Sequence, residues 1–394
     1  MAITLSQRVN AVKPSATLAI TAKAKALKAQ GKNVIGLAAG EPDFDTPMHI
    51  KAAAVDAIAD GQTRYTAVAG TPELCQAVAD KFLRDNHLSY QLNQVLVSSG
   101  GKQSFYNLCQ ALLNKGDEVI IAAPYWVSYP DMVILADATP VIIDTGIEQQ
   151  FKMTVEQLTA AITPKTRLVV LNSPSNPTGV CYSKSDLQAI GQVLQQYPEI
   201  VIASDDMYEH ILWADEPYTT IAEVCPDLYD RTVTMNGVSK AYAMTGWRIG
   251  YAAGLVELIK AMTKIQSQST SNPCSISQAA ALQALSGDQN CISEMLSAFK
   301  QRHDYVVKEI NAINGISALQ SQGAFYCFFN AEELIQSLEG VEDDVQLCDY
   351  ILEKAEVALV PGTAFGASGY LRLSFATSMQ NLQEAIGRLQ KLFS

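Results

Sequence analysis

The sequence predicts an α/β protein whose larger part is a doubly wound, mostly parallel sheet. Three observations predict it: five short apolar runs between about residues 95 and 255, helix-length segments between them, and a polar or turn-forming stretch after each run. Val95-Leu96-Val97 leads into Ser98-Ser99-Gly100-Gly101, and Glu118-Val119-Ile120-Ile121 leads into Ala123-Pro124-Tyr125-Trp126. Leu168-Val169-Val170-Leu171 is followed by Asn172-Ser173-Pro174-Ser175-Asn176-Pro177, and Ile200-Val201-Ile202-Ala203 by Ser204-Asp205-Asp206-Met207-Tyr208. Thr232-Val233-Thr234-Met235 runs into Asn236-Gly237-Val238-Ser239-Lys240. Continuous apolar runs read as strands covered on both faces, with the segments between them as crossover helices. Such sheets bind ligands beyond the carboxyl ends of their strands, so five polar strand ends could converge on one crevice.

The flanks carry a different pattern. Residues 1 to 46 hold one helical stretch, Leu18 to Ala29, and a short strand, Val34-Ile35-Gly36-Leu37. Beyond residue 287, long helices mix with strands such as Phe325-Tyr326-Cys327-Phe328-Phe329 and Leu371-Arg372-Leu373-Ser374-Phe375. The expected organisation is a large domain over 47–287 and a smaller α+β domain that joins 1–46 to 288–394.

Composition excludes several classes. With 48% hydrophobic and 17% charged residues, the chain can bury a large core and is not disordered. Lys plus Arg is 28 and Asp plus Glu is 40, a net charge of −12, which argues against nucleic acid or an anionic membrane as partner. An anionic small molecule would have to be held by a few locally placed cations. The segment Met1–Arg8 lacks the apolar core of a signal peptide, and no apolar stretch is long enough to span a membrane. Eight scattered cysteines form no Cys-x-x-Cys pair and the four histidines are dispersed, so no metal site is expected. Free, mostly buried thiols fit a reducing compartment, and the expected location is the cytoplasm.

The chemistry-bearing residues cluster at the strand ends. Lys240 follows a buried strand directly, and Arg248 opens a further apolar run eight residues later. Desolvation and a neighbouring cation lower a lysine's proton affinity and free its amine to attack carbonyls. Gly100-Gly101-Lys102 stands after a strand and before a helix, where backbone N–H groups face an anion. Lys102 itself meets the positive end of the helix dipole, a penalty of about 0.3–1 kcal/mol that makes sense beside a bound anion.

These motifs, in order, resemble the class I aminotransferases, the aspartate aminotransferase family of pyridoxal-phosphate enzymes. The segment Ser239-Lys240-x-x-x-Met244-Thr245-Gly246-Trp247-Arg248-Ile249-Gly250 is similar to that family's cofactor-lysine signature. The resemblance runs from Lys13-Pro14-Ser15-Ala16-Thr17 to Leu371–Ser378, nearest the bacterial aspartate/prephenate branch. It implies the type I fold, with a mostly parallel seven-stranded sheet between helices, and pyridoxal 5'-phosphate as cofactor. Lys240 is then the catalytic amine. Arg248, Ser239, Gly100, Gly101 and Lys102 correspond to the phosphate site, and Asp205 to the carboxylate facing the ring nitrogen. The family usually shows Asp-Glu where this chain has Asp205-Asp206. Tyr208 and Asn176 match residues at the cofactor's phenolic oxygen, and Trp126 resembles the indole stacked on its ring. Tyr65 is similar to a tyrosine that reaches the neighbouring subunit's phosphate, which implies a homodimer.

For the substrate, the resemblance implies that Arg372 and Asn176 grip the α-carboxylate near Gly40 and Trp126. Lys102, helped by Ser15 and Thr17, would read a distal carboxylate, and Lys13 stands where some relatives that use prephenate have a lysine. The expected reaction is ping-pong transfer from aspartate to 2-oxoglutarate, giving oxaloacetate and glutamate, with prephenate or aromatic amino acids as further substrates. The same core residues would serve a C–S lyase or another β-eliminating enzyme. A nucleotide-dependent oxidoreductase would need Gly-x-Gly-x-x-Gly after its first strand, and Ser99-Gly100-Gly101-Lys102 is not that motif.

Overall fold

The computed structural model describes residues 3–14 and 16–394. Its strands are β1 (Ile35–Gly36), β2 (Val95–Ser98), β3 (Glu118–Ala123), β4 (Thr139–Asp144), β5 (Thr166–Asn172), β6 (Val201–Asp205), β7 (Thr232–Gly237), β8 (Gly250–Ala253), β9 (Ser317–Ala318), β10 (Tyr326–Asn330), β11 (Val357–Ala358), β12 (Val360–Pro361) and β13 (Tyr370–Ser374). Seven of them form one sheet in the order β2-β8-β7-β6-β5-β3-β4. All neighbours are parallel except β8, which runs antiparallel to both β2 and β7. The five apolar runs of the sequence are β2, β3, β5, β6 and β7. Residues of β2 and β7 are buried throughout, because helices cover both faces.

Parallel register brings the functional ends level. Asn172 at the end of β5 pairs with Asp205 at the end of β6, and Asp205 with Met235 in β7. On one face, Leu96, Phe105, Leu168 and Val233 share a core with the helix Gly101–Leu112. On the other, Ile120, Val169, Ile202 and Leu187 form a second.

The chain ends meet in smaller sheets. β1 pairs in parallel with β11, and β12-β13-β10-β9 form an antiparallel sheet. Ile35 and Leu37 from the N-terminal region pack in one cluster with Phe299, Phe325, Leu347, Leu371 and Leu389. The expected helix at Leu18 to Ala29 begins slightly earlier, as Ala16–Ala29.

A charged network lies beneath the strand-end of β6. Thr71 caps the helix Pro72–Asn86 by accepting from the Leu74 N–H, with Pro72 in the first turn where no donor is lost. That helix carries Lys81, which is 0% exposed. Its ammonium contacts the Glu209 carboxylate and donates to Asn86 Oδ1 at 2.7 Å, while Asn86 Nδ2 donates to Glu209 Oε2 at 2.7 Å. Burial alone would raise the Glu209 carboxyl, but Lys81, His210 and Asn86 outweigh it and hold it below the ordinary range. Among the described residues, Asp85, Glu209 and His210 form the one cluster with metal-ligand spacing, and the Lys81 ammonium already supplies its cation. Lys81→Met would strand Glu209 as an unpaired buried charge. The expected cost is about 3–5 kcal/mol, read as a fall in the chemical-denaturation midpoint.

Candidate active site

A cavity of about 470 Å³ opens beyond the carboxyl ends of the central strands. It brings together Lys240, Asp205, Asn176, Tyr208, Ser239, Arg248, Gly101, Lys102, Trp126, Gly40, Arg372 and Thr17 from the sequence expectations. Gly100 is buried directly behind Gly101. Tyr65 is 92% exposed and Lys13 is exposed, and neither lines the cavity. Ser15 lies outside the described residues.

Lys240 follows β7 and its amine donates to the Gly40 carbonyl oxygen at 2.5 Å, 5.7 Å from the Tyr208 ring centre. Burial pushes this amine down to about 8. Glu41 opposes that most strongly, Arg372 and Arg248 add to the lowering, and Asp205 opposes it. An amine in that range is available unprotonated near neutral pH, which nucleophilic attack on a carbonyl requires.

Asp205 closes β6. Its Oδ2 accepts a short hydrogen bond from the Tyr129 hydroxyl and its Oδ1 one from the Met207 N–H at 3.3 Å. Burial raises the Asp205 carboxyl, while these donors and Lys240 draw it back. Next to it, burial and the neighbouring Glu209 push Asp206 up to about 7. Asn172 ties β5 to this corner: its Nδ2 donates to the Asp205 carbonyl at 3.0 Å and its Oδ1 accepts from the Asn176 N–H at 2.9 Å.

The anion-binding features line the same cavity through Gly101, Lys102 and Arg248. Gly100 caps the helix Gly101–Leu112 at φ 93°, a conformation other residues rarely adopt, and offers no side-chain acceptor to the first N–H groups. A methyl group on Gly100 would overlap the Arg248 guanidinium, and one on Gly250 would overlap the Gly101 backbone. Arg248 lies in the left-handed region at φ 58° and donates to Thr245 O at 3.0 Å and Ser99 O at 3.1 Å. Free N–H groups, a helix N-terminus and a guanidinium therefore converge on a cradle that fits a phosphate. Lys102 stands 5.2 Å over the Trp126 ring, and burial followed by repulsion from Arg248 lowers its proton affinity.

Arg372, only 2% exposed, projects from β13. It donates to Asn176 Oδ1 at 2.9 Å and to the Ala38 carbonyl at 2.7 Å, between the rings of Tyr326 (4.4 Å) and Phe365 (4.8 Å). Its buried Nε has no protein partner among the described residues. Aromatic faces fix the guanidinium plane, and a free fork donor suits a carboxylate.

The sequence profile of the family described as "Aminotransferase class I and II" matches residues 32–389. The chain belongs to this aminotransferase family. It is 59% identical to an aspartate/prephenate aminotransferase of Nitrosomonas europaea over 99% of this chain and 100% of that protein. It is 54% identical to the aspartate/prephenate aminotransferase of Cereibacter sphaeroides over 98% of each. Among solved structures, the aspartate aminotransferase of Rhizobium meliloti superposes with a TM-score of 0.95 at 48% identity, covering 99% of this chain and 98% of that one. The Thermus thermophilus aspartate aminotransferase solved with maleate gives 0.93 at 44% identity, over 99% and 100%.

Tyr129, Tyr326 and Glu41 of this aminotransferase lay outside the sequence expectations, though each lines the cavity. Tyr129 was the most accessible of them, since it stands three residues past Trp126 and opens the helix Tyr129–Leu135. Its contact with Asp205 requires β3 and β6 to be placed first. Tyr129→Phe removes a hydrogen bond to a carboxylate, worth about 1.5–3 kcal/mol. Transaminase kcat/KM should fall roughly ten- to a hundredfold. A lower melting temperature with unchanged kcat/KM would assign the bond to packing alone.

Proposed function

We propose that this transaminase uses pyridoxal 5'-phosphate to move the amino group of aspartate to 2-oxoglutarate, forming oxaloacetate and glutamate by a ping-pong cycle. One observation carries the reading: a low-affinity amine, a buried carboxylate and a desolvated guanidinium face a single cavity that also contains a phosphate cradle. The donor set fits that cofactor. Gly100, Gly101, Ser239 and Arg248 would hold its phosphate, Asp205 its ring nitrogen, Tyr208 and Asn176 its phenolic oxygen, and Trp126 its ring face. Bound there, it supplies an aldehyde for an amine and a ring that takes up the electron pair left by a departing Cα proton.

The remaining steps belong to the protein. Lys240 would bond the cofactor's aldehyde as a free amine and, once released by an incoming amino acid, would hold the Cα proton and return it one position along. Tyr129 keeps Asp205 oriented, so its charge is fixed before reaction. Arg372 turns its fork to the α-carboxylate and Asn176 shares that grip. A Cβ at Gly40 would lie 2.8 Å from the Tyr326 hydroxyl and displace it. Lys102 meets the distal carboxylate of an acidic substrate beside Thr17. Maleate, present with the Thermus thermophilus relative, is a dicarboxylate and supports that preference. Prephenate enters as a further acceptor on the names of the Nitrosomonas europaea and Cereibacter sphaeroides relatives.

The proposed working unit is a cytoplasmic homodimer with a large domain over 47–287 and a small domain from 1–46 and 288–394. Tyr65 and the stripe Met48, Val55 and Ile58 on the helix Met48–Ala59 are exposed apolar side chains that a second copy would cover. Among the described residues no helix is long and apolar enough to cross a membrane.

The half-reaction with a single donor, followed by the cofactor's absorbance, tests the substrate assignment. Lys102→Ala should slow aspartate about tenfold or more and leave phenylalanine nearly unchanged. Equal losses on both donors would refute the role of Lys102. Arg372→Lys replaces a two-bond fork by a point charge and should weaken both donors alike, by roughly ten- to a hundredfold. A selective loss on one donor would contradict the α-carboxylate assignment.

A further inference from the structure

The segment 38–41 meets the cavity from the small-sheet side and touches three functional groups in succession. The Ala38 carbonyl accepts from Arg372 at 2.7 Å, the Gly40 carbonyl from Lys240 at 2.5 Å, and Glu41 Oε2 from the Thr245 hydroxyl at 3.0 Å. Glu41 and Thr245 both line the cavity. The mechanism above leaves them without a task. A carboxylate on the wall of a cleft that receives dicarboxylates opposes its own ligands electrostatically, so its placement needs a compensating use.

We propose that Glu41 is a positioning residue for Lys240, a counter-charge pinned by Thr245 across the cleft that keeps the amine protonated between its two proton transfers. The proposal rests on Lys240 being the cofactor amine. Thr245 stands five residues beyond Lys240 in the same segment, so the hydrogen bond ties the carboxylate to the stretch that carries the amine. Arg372 and Arg248 face Lys240 as cations, Asp205 as the other carboxylate, and the Tyr208 and Phe325 rings as uncharged walls at 5.7 Å each. Of the charged groups Glu41 acts most strongly, and it works against burial. Without it, two guanidinium groups and desolvation would be balanced by Asp205 alone, which Tyr129 and the Met207 N–H already engage.

The test uses the full-length protein freed of cofactor. An amine-acylating reagent is applied across pH 6–10, and the Lys240 peptide is quantified by mass spectrometry to give the midpoint of its reactivity. In Glu41→Gln the midpoint should fall by about one pH unit, a tenfold loss of proton affinity, because the charge that stabilised the ammonium is gone. Glu41→Asp should recover most of the shift. Thr245→Val keeps the charge but releases it, and should shift the midpoint by less. A Glu41→Gln midpoint equal to that of the unaltered protein overturns the proposal, and an unmoved Thr245→Val midpoint removes the pin from it. Adding pyridoxal phosphate to each protein separates the two readings. A visible absorption band that never forms refutes Lys240 as the cofactor amine, whereas a normal band with an unmoved midpoint refutes only Glu41.

Discussion

Taking an amine out of water favours its uncharged form, and the site depends on doing so without losing the amine altogether. Lys240 lies just past β7 on the cavity wall, where burial and four neighbouring charges together bring its amine to about 8. Burial and two guanidinium groups push it down, and two carboxylates pull back. No single neighbour sets the outcome. The geometry must hold all four charges at fixed positions, and each comes from a different element: Arg372 from β13, Arg248 from the turn before β8, Asp205 from β6, and Glu41 from the segment after β1. The fold can be understood as the means of holding those elements in place.

That view explains why so much polar structure is buried near the strand ends. Arg372 keeps its charge through two hydrogen bonds and two aromatic faces, contacts of the second kind being worth about 0.5–2 kcal/mol each. Asp205 keeps an orientation through Tyr129. Beneath it, Lys81, Asn86 and Glu209 satisfy one another and support the turn that follows β6. Preorganised charge of this kind does not have to rearrange when a reaction develops charge, which is where much of an enzyme's advantage over water arises.

The residues differ in how visible they were from sequence. Five strands were legible because strands covered on both faces are largely apolar along their length, even with Thr232 and Thr234 in β7. β4 was not, since it lies at the sheet edge with mainly Ile143 buried, while β8, Gly250–Ala253, showed only as the short apolar run that opens after Arg248. Lys240, Asp205, Asn176 and Arg372 were legible through local motifs, and the structure brings them to one cavity. Tyr326 and Glu41 carry no local signal and Tyr129 only its place just past Trp126, since their partners are Tyr208, Thr245 and Asp205, distant in the chain. Tyr65 and Lys13 are exposed and do not line the cavity, so nothing within the single chain gathers them to the other motif residues.

In the proposed function one amine among all the lysines, that of Lys240, bonds the cofactor. Borohydride reduction of the protein loaded with pyridoxal phosphate, followed by peptide mapping, tests it directly. A single stable adduct on Lys240 is the expected result. An adduct on any other lysine, or none at all, would contradict it.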